Sequence, residues 1–169
     1  MKKILFAASE AVPFMKTGGL ADVTGSLPKY FDKKNYDVRV ILPKYVCMEE
    51  RWKGQLHFLC HFYVNLSWRK QYVGIFETTY DGITYYLVDN EFYFAGNAPY
   101  NNIYEDVEKF AFFSKAVLEA LPYLDFCPDI IHCHDWQTGL LPVFLRTLYG
   151  DEEYYTCLLY TSPSPRDGA

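Results

Sequence analysis

The sequence predicts an α/β protein with a Rossmann-like, mostly parallel sheet and an inserted β-hairpin region. Three observations carry this. A short apolar run, residues 3–8, ends in Ser9-Glu10 and opens into a glycine loop followed by a helical stretch. A second run of the same kind, Pro128 to Asp135, turns polar at its end and again leads into a helical stretch. Between them lie three segments rich in β-formers, joined by turn signals.

Taken in order, the first apolar run reads as a central parallel strand. The loop after it holds Pro13 and Lys16-Thr17-Gly18-Gly19. Leu20, Val23, Leu27 and Phe31 then recur at helical spacing, with Pro28 placed to bend or shorten the helix. Asp37–Leu42 is a second strand, closed by Pro43, which completes a right-handed βαβ unit. Leu56–Leu66, Gln71–Thr79 and Ile83–Val88 follow as strands. Asp81-Gly82 between the last two is a strong hairpin signal. A loop from Glu91 to Tyr104 precedes a helix from about Glu105, with Val107, Phe110, Val117 and Leu121 on one face and acidic residues at its positive end. Trp136–Tyr149 reads as the helix of the second strand-to-helix unit. Glu153–Cys157 begins another strand-like segment.

A chain of 169 residues has room for one domain. Being 50% hydrophobic and 22% charged, it has the composition of a packed globule. Its 16 basic and 21 acidic residues leave a formal charge of −5, which argues against nucleic acid or an anionic membrane as partner. No apolar run approaches the ~18 residues of a membrane span. Met1-Lys2-Lys3 followed by Ile4–Ala8 imitates a secretory leader but stops short of the ~7–15 apolar residues required. The five cysteines show no CxxC spacing, which suits reduced thiols in the cytoplasm. Aromatic residues make up 19%, and any surplus of Tyr and Trp beyond the core suits flat, amphipathic ligands such as sugars.

Three constellations could carry chemistry. Lys16-Thr17-Gly18-Gly19-Leu20-Ala21-Asp22 sits between strand and helix, where backbone amides and a lysine can meet an anion. Its order fits neither a Walker A loop nor GxGxxG, and a plain glycine turn is the competing reading. His132 and His134 project to one face of the second strand, at the same sheet edge. With Asp135 they offer three metal-ligating types, yet no second ligand pair stands at a recognisable spacing. Both histidines as internally satisfied structural groups is a further reading. With Trp136 to pack against a ring, a sugar or nucleotide is favoured. The Asn97–Asn102 loop, containing Tyr100, could close over a polyol or simply be a surface loop.

Together these residues resemble the N-terminal domain of bacterial glycogen synthases and plant-type starch synthases. The likeness runs from Met1 to about Thr156. It rests on KTGGLADV (Lys16–Val23), GSLPKY (Gly25–Tyr30), VRVILPKY (Val38–Tyr45), APY (Ala98–Tyr100) and HCHDWQTGLLP (His132–Pro142). The resemblance implies one half of a GT-B glycosyltransferase, in which two Rossmann-like domains face each other across a cleft. It implies transfer of glucose from ADP-glucose to the non-reducing end of an α-1,4-glucan with retention, without metal or cofactor. Lys16 and Asp135 match catalytic positions. Lys16, Gly18, Gly19 and Asp22 match donor-binding positions, and Tyr100, His134, Asp135, Trp136 and Gln137 match sugar and acceptor positions. Gln137 stands where relatives can carry His.

The family's next strand normally brings a histidine in T-[VI]-H-N, and here Thr156-Cys157 leads elsewhere. The expected organisation is therefore a truncated family domain over 1–157, lacking its C-terminal partner domain, and a non-family tail over 158–169. That fragment alone is expected to be inactive. A sucrose-synthase-like GT-B enzyme and a stand-alone glucan- or nucleotide-binding module remain alternatives.

Overall fold

A computed structural model describes residues 1–161. It contains one sheet of seven strands: β1 (Lys2–Ala7), β2 (Tyr36–Pro43), β3 (His57–Leu66), β4 (Arg69–Tyr80), β5 (Ile83–Asp89), β6 (Ile130–Cys133) and β7 (Leu159–Thr161), in the order β3-β4-β5-β2-β1-β6-β7. The β5-β2-β1-β6-β7 stretch is parallel, and β3-β4-β5 is an antiparallel meander. The hairpin region thus continues the main sheet, because β5 pairs with β2 (Val40↔Tyr85 to Pro43↔Val88). Its turn is as expected for Asp-Gly: Tyr80 pairs with Ile83, and Asp81 and Gly82 both take positive φ, 49° and 75°.

Among the described residues, four α-helices accompany the sheet: α1 (Gly19–Ser26), α2 (Glu50–Lys53), α3 (Ile103–Ala120) and α4 (Leu140–Thr147). Both sheet faces are covered, so alternate residues of each central strand enter different cores. Leu5, Ala7, Ile41, Val88 and Ile131 pack with Phe112, Phe113, Ala116 and Val117 of α3 and Leu141 and Leu145 of α4. Ile4, Phe6, Val38, Val40 and Leu87 pack on the other side with Ala11, Phe14 and Met48.

Several elements differ from expectation. Pro28 ends α1 early and the chain continues as a 3-10 turn, Leu27–Tyr30. The α1 face turned inward is Ala21, Thr24 and Gly25, while Val23 and Leu27 are exposed. The reason is close approach: Gly25 lies on Val12, and a Cβ there would fall 2.4 Å from Val12 Cγ2. Val107 is likewise exposed, because α3 turns Phe110, Phe113 and Val117 to the core. Trp136–Tyr149 divides into a 3-10 turn, Trp136–Thr138, and α4. Glu153–Tyr155 is a 3-10 turn instead of the start of a strand, and the strand comes later, as β7 beside β6. Residues 162–169 of the 158–169 tail lie outside the described residues.

The topology fixes where a ligand can sit. From β1 the chain crosses to β2 on one side, and through α3 it reaches β6 on the other. The carboxyl ends of β1 and β6 therefore flank the switch point of the sheet, where open parallel sheets form their binding crevice.

Candidate functional site

The loop leaving β1 is organised by Glu10, which is 2% exposed. Its carboxylate accepts the Thr17 amide at 3.1 Å and the Thr17 hydroxyl, and its backbone oxygen accepts the Thr24 hydroxyl at 2.6 Å. One buried acid thus ties the glycine loop to α1. Sequence reasoning assigned Glu10 no role; its signal was the Ser9-Glu10 end of the apolar strand ahead of KTGGLADV. Lys16 lies outside this knot, half-exposed, with its Nζ 2.8 Å from the Asp22 carboxylate in the first turn of α1. A Cβ built on Gly18 or Gly19 would meet nothing within 4 Å. Packing demands glycine at 25, but nothing in the fold demands it at 18 or 19. Bare backbone facing open space beside a lysine and a helix start is what close approach of an anion needs.

Tyr100, from the 97–102 loop, reaches the loop after β1. Its hydroxyl lies 2.7 Å from Ser9 Oγ, next to Glu10 and Thr17. Burial, with the Glu10 charge, pushes its phenol well above the ordinary tyrosine value. The ring packs on Phe110, centroids 5.8 Å apart, and Phe110 meets the Trp136 indole edge-on at 5.5 Å. An aromatic chain therefore links the loop after β1 to the turn after β6.

At that turn His132 and His134 do share a face. Their rings are 4.5 Å apart and both pack on Phe6. His134 is buried, its Nε2 has no partner, and desolvation with the neighbouring His132 holds its pKa down to about 3. Gln137 is also buried, with an unpartnered Oε1. These two orphaned groups are positions that call for a polar partner. Asp135 stands exposed at φ 63°, ψ −176°, a conformation few non-glycine residues adopt, and its Oδ1 accepts the Trp136 amide at 2.7 Å. Trp136 is 47% exposed.

Lys16, Gly18, Gly19 and Asp22 thus form one cluster, and His134, Asp135, Trp136 and Gln137 another. Tyr100 bridges them; among the described residues no hydrogen bond or ring contact joins the clusters directly. Nor do three His, Cys, Asp or Glu side chains converge in metal-ligating fashion among those residues.

The family described as the starch synthase catalytic domain matches residues 3–161 of this chain. The chain is 66% identical over 155 residues to the glycogen synthase of Lachnoclostridium phytofermentans, covering 92% of this chain and 32% of that protein. It is 61% identical over 155 residues to the glycogen synthase of Lachnospira eligens, with the same coverages of 92% and 32%. Among solved structures, the catalytic domain of starch synthase IV from Arabidopsis thaliana, bound to ADP and acarbose, is similar with a TM-score of 0.81 and 28% identity. That match covers 95% of this chain and 33% of the other. The chain spans about a third of the length of these relatives.

Proposed function

The chain belongs to the starch synthase catalytic-domain family, and on that premise we propose that it forms one wall of a GT-B site that transfers glucose from ADP-glucose to an α-1,4-glucan with retention. The observation that carries the reading is the bare Gly18-Gly19 backbone beside Lys16, set at the switch point and bridged by Tyr100 to Trp136. Negative charge grows on the departing diphosphate as the glycosidic bond breaks. Fixed donors aimed at that charge lower the barrier. Lys16 supplies a compact cation and the loop amides supply dipoles. Diphosphate binding would draw Lys16 from Asp22, freeing the carboxylate to accept donor-sugar hydroxyls. Trp136 offers a ring face to the acceptor, and Asp135 and the buried polar atoms of His134 and Gln137 offer hydroxyl partners. No step in this scheme calls for a metal or cofactor. Five free cysteines fit a cytoplasmic setting.

The test is two-part. Titration of the isotope-labelled 169-residue chain with ADP-glucose should shift the Lys16–Asp22 amides, and titration with maltohexaose should shift Tyr100, Asp135 and Trp136. The chain alone should incorporate no labelled glucose into glycogen. A chimera carrying the remaining length of the Lachnoclostridium relative should do so. Shifts confined to other regions, or an inactive but folded chimera, would refute the proposal.

A further inference from the structure

Tyr100 is held by more than its hydroxyl. Lys109 Nζ donates to the Pro99 carbonyl at 2.8 Å and lies 3.2 Å from Asp106 Oδ1. The Asp106 carboxylate accepts the Asn101 amide, at 3.1 Å to each oxygen. The two peptide units flanking Tyr100 are therefore gripped by opposite members of one ion pair on the first turns of α3. Both residues are buried, at 5% and 3% exposure, and among the described residues no other ion pair is as deep.

We infer that Asp106 and Lys109 are positioning residues whose buried ion pair fixes Tyr100 at the crevice. The inference rests on the reading of Tyr100 as a sugar-side residue. A pair spaced i,i+3 on an exposed helix adds little to helix stability. Burying both charges opposes folding, and an apolar pair of similar volume commonly serves stability as well or better. The benefit of this pair is geometric. It sets the direction in which the chain enters α3 and denies Tyr100 any backbone rotation. Asn102 completes the clasp: its side chain accepts the Glu105 amide at 3.1 Å and caps the helix. The ring then has one course, between Phe110 and the Ser9 hydroxyl.

The experiment uses the 169-residue chain carrying 3-fluorotyrosine, with the Tyr100 signal assigned through Tyr100→Phe. In the wild type Tyr100 should give one sharp 19F line and stay protonated beyond the point where the free amino acid ionises. In Lys109→Met and Asp106→Asn the line should move or broaden, and its titration should fall toward that of the free amino acid. Maltohexaose binding should weaken at least about tenfold, equivalent to about 1.4 kcal/mol. If either single variant fails to fold, Asp106→Leu combined with Lys109→Met replaces the ion pair by apolar groups and should fold while showing the same loss of Tyr100 order. A folded double variant with an unchanged Tyr100 line and titration overturns the inference. Unfolding of all three variants overturns it too, since it would assign the pair to stability. A wild-type chain that ignores maltohexaose, while Tyr100 still responds to the variants, refutes the sugar-side reading and leaves the positioning intact.

Discussion

Acidification from pH 7 to pH 5 should destabilise this chain through His134. The imidazole is 5% exposed, packed on Phe6 and His132, and its folded pKa is held down to about 3 against an ordinary 6.5. Between those values the unfolded chain binds the proton and the folded chain does not, so stability falls as pH falls. Each unit below 6.5 removes about 1.4 kcal/mol, so going from pH 7 to pH 5 should remove about 2 kcal/mol. Burial lowers His132 as well, which adds in the same direction. Urea unfolding at fixed ionic strength, at half-unit steps from pH 8 to 5, measures this directly. His134→Gln should flatten most of the slope while His132 remains. NMR of the imidazole Cε1 proton should show His134 neutral throughout that range. A wild-type chain equally stable at pH 7 and pH 5, or a His134→Gln variant as steep as wild type, would refute the reasoning. The functional corollary is that a neutral ring can offer a hydrogen bond to a hydroxyl at working pH without drawing counter-ions into the crevice.

Other perturbations separate chemistry from packing. In the chimera with the Lachnoclostridium relative, Lys16→Ala should lower kcat/KM for ADP-glucose about 10²–10³-fold, the scale of losing one transition-state charge partner. Lys16→Arg should also be impaired, because a planar fork cannot replace a compact ammonium. Steady-state kinetics decide both, and an unimpaired Lys16→Ala rejects the assignment. Gly25→Ala should destabilise by about 1–3 kcal/mol or more, because its Cβ would fall 2.4 Å from Val12 Cγ2. Gly18→Ala and Gly19→Ala should leave the denaturant midpoint nearly unchanged yet weaken ADP binding by calorimetry.

The parts of this protein that were legible in the sequence are those whose cause is local. Asp81-Gly82 dictates its own turn, and an apolar strand running into Lys16-Thr17-Gly18-Gly19 announces a strand-to-helix loop at a sheet edge. What escaped depends on distant partners. The inward face of α1 is lined by Ala21, Thr24 and Gly25 because the Val12 turn comes so close, so apolar periodicity pointed to the wrong face. Asp106 and Lys109 look like a solvated charged face until the 97–102 loop folds over them. Glu10 resembles any polar residue ending a strand until Thr17 and Thr24 are brought to it. The 97–102 loop with Tyr100 stands out by its residues, but the bond from Tyr100 to Ser9 spans 91 positions and no local pattern encodes it.

The strand order also sets a sequence of events during folding. The β3-β4-β5 meander is closed by two short turns, so its pairings form at little loop-closure expense. Joining β6 to β1 brings Lys3 to Asp129, 126 positions away, and every doubling of such a loop adds about 0.6 kcal/mol of closure entropy. Non-local pairings of this kind come late. The crevice lies between the ends of β1 and β6 and is therefore among the last features to exist. A chain caught partway can have a formed meander and a helical α3 while possessing no site at all. A ligand held by both strand ends will accordingly recognise only the finished fold and draw the whole population toward it.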